Sequence, residues 1–197
     1  MVDSLVEKKV DSQMVYRGKI LNLRVDTVIF PDGRTGTREV VEYAGAVAVV
    51  ALNEAGEVFL VRQYRYAVGE ELLEIPAGKM EHHEDPFMCA QRELAEETGL
   101  FAADWQMLCG FYSTPGFTTE KMHLFLARNL RQGKSHTDAD EFIQVVKVPL
   151  GEAMNMLWRG EIRDAKSTAG LLAAHYFLQQ EGSPRIPGFP GTGYPAR

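Results

Sequence analysis

The chain has 197 residues, 45% hydrophobic and 24% charged, with a formal net charge of −6 at pH 7. A length of this order suits one domain, or one domain with an appendage, and buries roughly 70% of its unfolded surface, so a true core is available. The acidic balance argues against nucleic acid, whose phosphates need clustered Lys and Arg, and no stretch approaches the roughly 20 apolar residues of a membrane span. Met1-Val2-Asp3-Ser4 carries neither the basic region nor the apolar segment of an export signal, so a cytoplasmic location is expected. Cys89 and Cys109 are the only cysteines, without zinc spacing, and are expected as reduced thiols.

In chain order, Gln13 to Tyr43 alternates with period two. Leu21, Leu23, Val25, Thr27 and Ile29 fall on one face, with Asn22, Arg24 and Asp26 between them. Pro31-Asp32-Gly33-Arg34-Thr35-Gly36 is turn chemistry, after which Val40, Val41 and Tyr43 resume the strand. This predicts a small antiparallel sheet over residues 1–43, too small to stand alone, that packs on the main domain or on a second subunit. The main domain is expected over residues 44–182. Ala46 to Leu52 reads as a strand covered on both sides, and Val58 to Tyr66 as its hairpin partner. Further apolar runs occupy Trp105 to Tyr112, Met122 to Ala127 and Phe142 to Val148. Helices are predicted over Leu150 to Arg159 and over Asp164 to Gln180, the second with a stripe of Leu171, Leu172, His175 and Leu178. The pattern gives an α+β fold, a mixed sheet between helices. Residues 183–197, rich in Pro and Gly, form a tail with little to build a core.

The chemistry concentrates between Gly78 and Leu100. Asp85-Pro86 signals a helix start, a capping side chain followed by a ring already fixed at helical φ, and Gly99 signals its stop. Phe87, Ala90 and Leu94 make an apolar stripe, while Glu93, Glu96 and Glu97 lie within a turn of one another on another face. Three like charges so placed repel, and a solvated acidic face is the plain reading of such a helix. Arg92 one turn before Glu96, Glu84 just upstream, and an extended Glu74-Ile75-Pro76-Ala77-Gly78 entry weigh against it. Backbone carbonyls and carboxylates are the hard oxygen donors Mg²⁺ prefers. His82 and His83, adjacent in an acidic loop, read as surface residues.

Gly78, Glu84, Arg92-Glu93-Leu94, Glu96-Glu97 and Gly99-Leu100 fill every fixed position of Gly-x5-Glu-x7-Arg-Glu-U-x-Glu-Glu-x-Gly-U, with U aliphatic. The chain therefore resembles the Nudix hydrolases, which cleave nucleoside diphosphates linked to another group with a divalent metal. Pro115, sixteen residues after Gly99, together with Glu74 to Lys79 (EIPAGK) and Arg62-Gln63-Tyr64-Arg65, resembles the ADP-ribose pyrophosphatase subfamily. Taken alone, Pro115-Gly116 is equally a plain turn. The resemblance implies an α/β/α sandwich with a mixed sheet and a homodimer built on the N-terminal sheet. It further implies Mg²⁺, with Mn²⁺ as a substitute, held by the Ala77 carbonyl, Glu93 and Glu97, with Glu96 joining when more metals bind. Gly78, Glu84 and Gly99 take structural roles, Glu84 orienting Arg92. Glu141 is the candidate general base, with Asp138 and Asp140 in the same loop as alternatives, and Glu96 and Arg92 complete the catalytic set. Arg65, Arg62, Pro115 and Gly116 are the candidate substrate contacts, a structural salt bridge being the competing role for either arginine.

The expected reaction is hydrolysis of ADP-ribose, and of related ADP-sugars, to AMP and ribose 5-phosphate. The rivals are another nucleotide sugar, NADH or an oxidised nucleotide as substrate, and a non-catalytic nucleotide-binding regulator. The presence of all four box glutamates disfavours the regulator.

Overall fold

A computed structural model describes residues 4–133 and 142–180. The chain divides into two compact units, Met1–Gly45 with Tyr112–Lys121, and Ala46–Phe111 with Met122–Arg197.

The first unit is a three-stranded antiparallel sheet in the order β1 (Lys8–Arg17), β2 (Leu21–Ile29), β3 (Thr35–Tyr43). Its first strand begins at Lys8, five residues before the expected alternation. The polar stretch Lys8 to Ser12 has no apolar pattern to announce it and is held by backbone pairing, Lys8 opposite Ile29 and Ser12 opposite Asp26, with register shifts at Lys9/Asp11 and Met14/Tyr16. On one face of β2, Asp26 is buried; Ser12 Oγ donates to it at 2.6 Å, and Arg24 pairs with both Asp26 and Glu42. On the other face the apolar row ends in Leu21 and Ile29, each 36% exposed. The segment from Tyr112 to Lys121 adds to this unit through Val41, whose N–H donates to the Phe117 carbonyl at 2.7 Å and whose carbonyl accepts from Thr119 N at 3.0 Å.

The second unit is built on β4 (Ala46–Leu52), β5 (Glu57–Arg65), β6 (Glu70–Glu74), β7 (Ala77–Lys79), β8 (Leu100–Tyr112), β9 (Lys121–Gln132) and β10 (Gln144–Pro149). The sheet runs β10-β5-β4-β9-β8, with β6 on β5 and β7 on β4. It is mixed, since β4 runs parallel to β9 and antiparallel to β5 and β7. All seven residues of β4 are buried because both faces are covered. Ala46, Ala48, Val50 and Leu52 face a core shared with Ala153, Leu171 and Ala174 of α2 (Leu150–Trp158) and α3 (Ala165–Gln180). Val47, Val49 and Ala51 face a second core with Cys89, Ala90 and Leu94 of α1 (Pro86–Thr98). The result is the expected α/β/α sandwich.

Two expectations are corrected. The β4–β5 hairpin pairs only at Ala51–Phe59 and Leu52–Val58 before the strands part, and β6 and β7 take the freed edges. The buried stripe of α3 is Ser167, Gly170, Leu171 and Ala174, whereas Leu172 is 42% exposed. A helix seated over Ile75 and Val50 turns its smallest residues inward: a Cβ on Gly170 would lie 2.6 Å from Ile75 Cδ1.

Candidate active site

Helix α1 begins where its sequence says. Asp85 Oδ1 accepts from the N–H groups of Phe87 and Met88, Pro86 opens the first turn, and Gly99 closes the last in the left-handed region at φ 68°. Burying Ala90 and Leu94 fixes the helix rotation, and that rotation aims Glu93 and Glu97 at β7.

The positive group among the carboxylates is Arg92. Its guanidinium grips Glu84 with two bonds of 2.9 Å, reaches Glu93 at 2.7 Å and Glu96 at 2.9 Å, and donates to the Lys79 carbonyl at 3.3 Å and to Cys89 Sγ at 3.4 Å. The Arg92 hydrogen bonds hold the Glu84 carboxyl down to about 2, against an ordinary 4.5, and outweigh the opposing effect of burial. Burial pushes the Cys89 thiol well above its ordinary range, with Glu84 adding to the effect, so Cys89 is a packing residue and not a nucleophile. Both cysteines are free thiols.

Glu93 and Glu97 converge on two successive residues of β7, Gly78 and Ala77. A Cβ on Gly78 would lie 1.9 Å from the Glu93 carboxyl carbon, so any larger residue here would push the Glu93 carboxylate aside. Glu97, 4% exposed, accepts the Ala77 N–H at 2.9 Å. An antiparallel residue presents its N–H and C=O along the same edge, so the Ala77 carbonyl lies along the edge that meets Glu97. Two carboxylates and a backbone carbonyl are thus neighbours, with Glu96 on the more open side, its side chain 35% exposed. Among the described residues no group of three or more His, Cys, Asp or Glu side chains is placed to hold a metal. The two carboxylates and the backbone carbonyl are hard oxygen donors of the kind a divalent cation takes, with water and phosphate oxygens filling its remaining positions. His82 and His83 are exposed in the loop before α1.

Arg65 is engaged with Glu74, 1% exposed at the end of β6, through Nε to Oε1 at 2.9 Å and Nη2 to Oε2 at 2.7 Å. The hydrogen bond from Arg65, with the charge of Lys166, keeps the Glu74 carboxyl below its ordinary range in spite of burial. Lys166 bonds to Glu74 and, at 2.7 Å, to Asp164, which also accepts the Ser167 N–H at 3.1 Å. Sequence reasoning named the Arg65–carboxylate alternative but neither Lys166 nor Ser167. The available signal was Glu74, an acidic residue set between apolar Leu73 and Ile75. Arg62 is exposed on β5, opposite Leu73 of β6 and Gln144 of β10. Pro115 and Gly116 are exposed in the turn that precedes Phe117 in the N-terminal unit. Asp138, Asp140 and Glu141 lie outside the described residues, as do residues 181–197. A cavity of ≈ 590 Å³ opens at Asn53, Glu54, Ala103, Asn129 and Arg131, none of them a site candidate.

Comparison with known proteins points the same way. A family model described as the NUDIX domain matches residues 42–171, and one described as the nucleoside diphosphate sugar hydrolase N-terminal domain matches residues 7–41. An ADP-ribose pyrophosphatase of Bacillus subtilis (strain 168) is 40% identical over 166 residues, 83% of this chain and 90% of that protein. A methanol dehydrogenase activator of Bacillus methanolicus is 37% identical over 177 residues, 89% of this chain and 94% of the relative. The fold is shared with a solved ADP compounds hydrolase at a TM-score of 0.83 and 22% identity, covering 92% of this chain and all of that one.

Proposed function

The chain belongs to the Nudix hydrolase family, and from that premise we propose that it splits the pyrophosphate bond of ADP-ribose, and of related ADP-sugars, into AMP and ribose 5-phosphate. The observation that carries this reading is the convergence of Glu93 and Glu97 on Gly78 and Ala77 of β7, beside an arginine that fixes the remaining box carboxylates. A divalent metal, Mg²⁺ or Mn²⁺, would supply charge neutralisation for the phosphate oxygens and a more acidic bound water. The Ala77 carbonyl, Glu93 and Glu97 would hold it, with Glu96 joining when more metals bind.

The chain's own residues do the rest. Arg92 draws Glu84, Glu93 and Glu96 together and offsets their mutual repulsion, so the carboxylates are in place before substrate arrives. Glu141 is the proposed base: it takes the proton of the attacking water as the new P–O bond forms and the bridging oxygen leaves with the departing phosphate. Arg65, with a half-exposed side chain, offers a guanidinium fork of the kind that fits phosphate oxygens while Glu74 orients it. The contact roles of Arg62, Pro115 and Gly116 rest on the subfamily resemblance.

Replacing Glu93 or Glu97 by Gln removes a charged ligand and keeps the shape. Each is expected to lower kcat by roughly a hundredfold or more with a native circular dichroism spectrum. In Glu141→Gln the acidic limb of the pH–rate profile, where the base takes up its proton, should move or vanish. Near-normal turnover in Glu97→Gln would sink the assignment. A second reading, action on a dehydrogenase partner, is favoured by the name of the Bacillus methanolicus relative, and a coupled assay with a methanol dehydrogenase would separate it from simple hydrolysis.

A further inference from the structure

Ile75 and Pro76 belong to no strand, yet they join β6, paired with β5, to β7, paired with β4, and so decide where the Ala77–Gly78 peptide sits. Four successive anchors fix this crossing. The Glu74 carboxylate is held by Arg65 and Lys166; Ile75 N–H donates to Ser167 Oγ at 2.8 Å; the Pro76 carbonyl accepts from Val49 N at 2.8 Å; Ala77 N–H donates to Glu97. Two of the four come from the first turn of α3.

The Ser167 hydroxyl is not needed by its own helix. Asp164 already serves the helix N-terminus, accepting the Ser167 and Thr168 N–H groups through its side chain and carbonyl. Ser167 is wholly buried in a stripe with Gly170, Leu171 and Ala174, where alanine would pack as well. What the hydroxyl adds is an acceptor for the buried Ile75 N–H. Lys166, in turn, gives the buried Glu74 a second counter-charge, which leaves the guanidinium of Arg65 free to share itself with an incoming anion without stranding Glu74.

We propose that Ser167 and Lys166 are positioning residues that act through Ile75 and Glu74 to set the Ala77 carbonyl against Glu93 and Glu97. This deepens the proposed function and rests on its reading of that carbonyl as a metal donor. Partners that orient a ligating group change metal affinity by about 10–100-fold when removed. The chain therefore weakens its hold on metal when α3 loses its grip on the crossing, although α3 supplies no ligand.

The test titrates Mn²⁺ into the resting protein without nucleotide, and measures kcat and KM with saturating metal. Ser167→Ala and Lys166→Met should each weaken Mn²⁺ binding by about tenfold or more and lower kcat; KM for nucleotide should stay within about twofold of wild type in Ser167→Ala and rise in Lys166→Met, where Arg65 alone must hold Glu74. Lys166→Arg should restore most of the affinity. Ala174→Gly loosens the same helix without touching the crossing, so it should lower the melting temperature and leave Mn²⁺ binding unchanged. Wild-type Mn²⁺ affinity in Ser167→Ala, or an equal loss in Ala174→Gly, would overturn the positioning role alone. A wild-type protein that takes up no divalent metal would overturn it together with the proposed function.

Discussion

Arg92 shows how one residue can organise a site. It meets Glu84, Glu93 and Glu96 at once, and the strongest consequence falls on Glu84, whose carboxyl is held at about 2. The folded value lies below the ordinary 4.5, so the stabilisation is fully present above about pH 4.5 and is lost as the pH falls from there toward 2. A carbon-13 carboxyl titration should find Glu84 still ionised at about pH 3.5 in the wild type and protonating near its ordinary value in Arg92→Met; a wild-type midpoint near 4.5 would contradict the arrangement. At this scale the sequence was informative where partners lie within one helix or beside it. The spacing of Arg92, Glu93 and Glu96 implied the cluster, and the glycine at position 78 has its reason in the Glu93 carboxylate pressed against it. Partners far along the chain were not legible: Lys166 and Glu74 stand 92 residues apart, and no local pattern links them.

Among the elements, α1 was the most readable because its ends are written in side-chain chemistry. Asp85, Pro86 and Gly99 fall where capping, ring geometry and left-handed φ require them. Asp85→Ala should cost about 1 kcal/mol and lower the melting temperature by roughly 2–4 °C, through two N–H groups left without their acceptor. An unchanged melting temperature would mean that water replaces the cap in full. Elements whose position depends on non-local pairing were read less well. The early start of β1 is carried by backbone bonds to β2, and the parting of β4 from β5 is carried by β6 and β7 filling the edges. In α3 the expected Leu171 is buried and Leu178 packs against the core, whereas Leu172 is exposed and the small residues Ser167, Gly170 and Ala174 complete the buried face, because close approach to Ile75 and Val50 selects for size over hydrophobicity.

For the molecule as a whole, the sandwich and the N-terminal sheet follow from patterning, period two in β2 and the continuous apolar run of β4 being the clearest marks. Val10, Val15, Tyr16 and Ile20 are exposed in the N-terminal unit, which supports the proposal that a second copy covers this sheet. Sedimentation equilibrium should give twice the chain mass, shifting to the single-chain mass in Val15→Asp; a wild-type monomer would remove the dimer. The substrate stays the least legible property, since the box builds the cleavage site and not the pocket that selects the sugar. The most direct test of the account incubates the protein with ADP-ribose, ADP-glucose, NADH and a nucleoside triphosphate, with Mg²⁺ or with chelator, and separates the products by chromatography. AMP and ribose 5-phosphate should form, fastest from ADP-ribose, and chelator should abolish their release. Intact substrates in the presence of Mg²⁺, or cleavage indifferent to chelator, would contradict the proposed function.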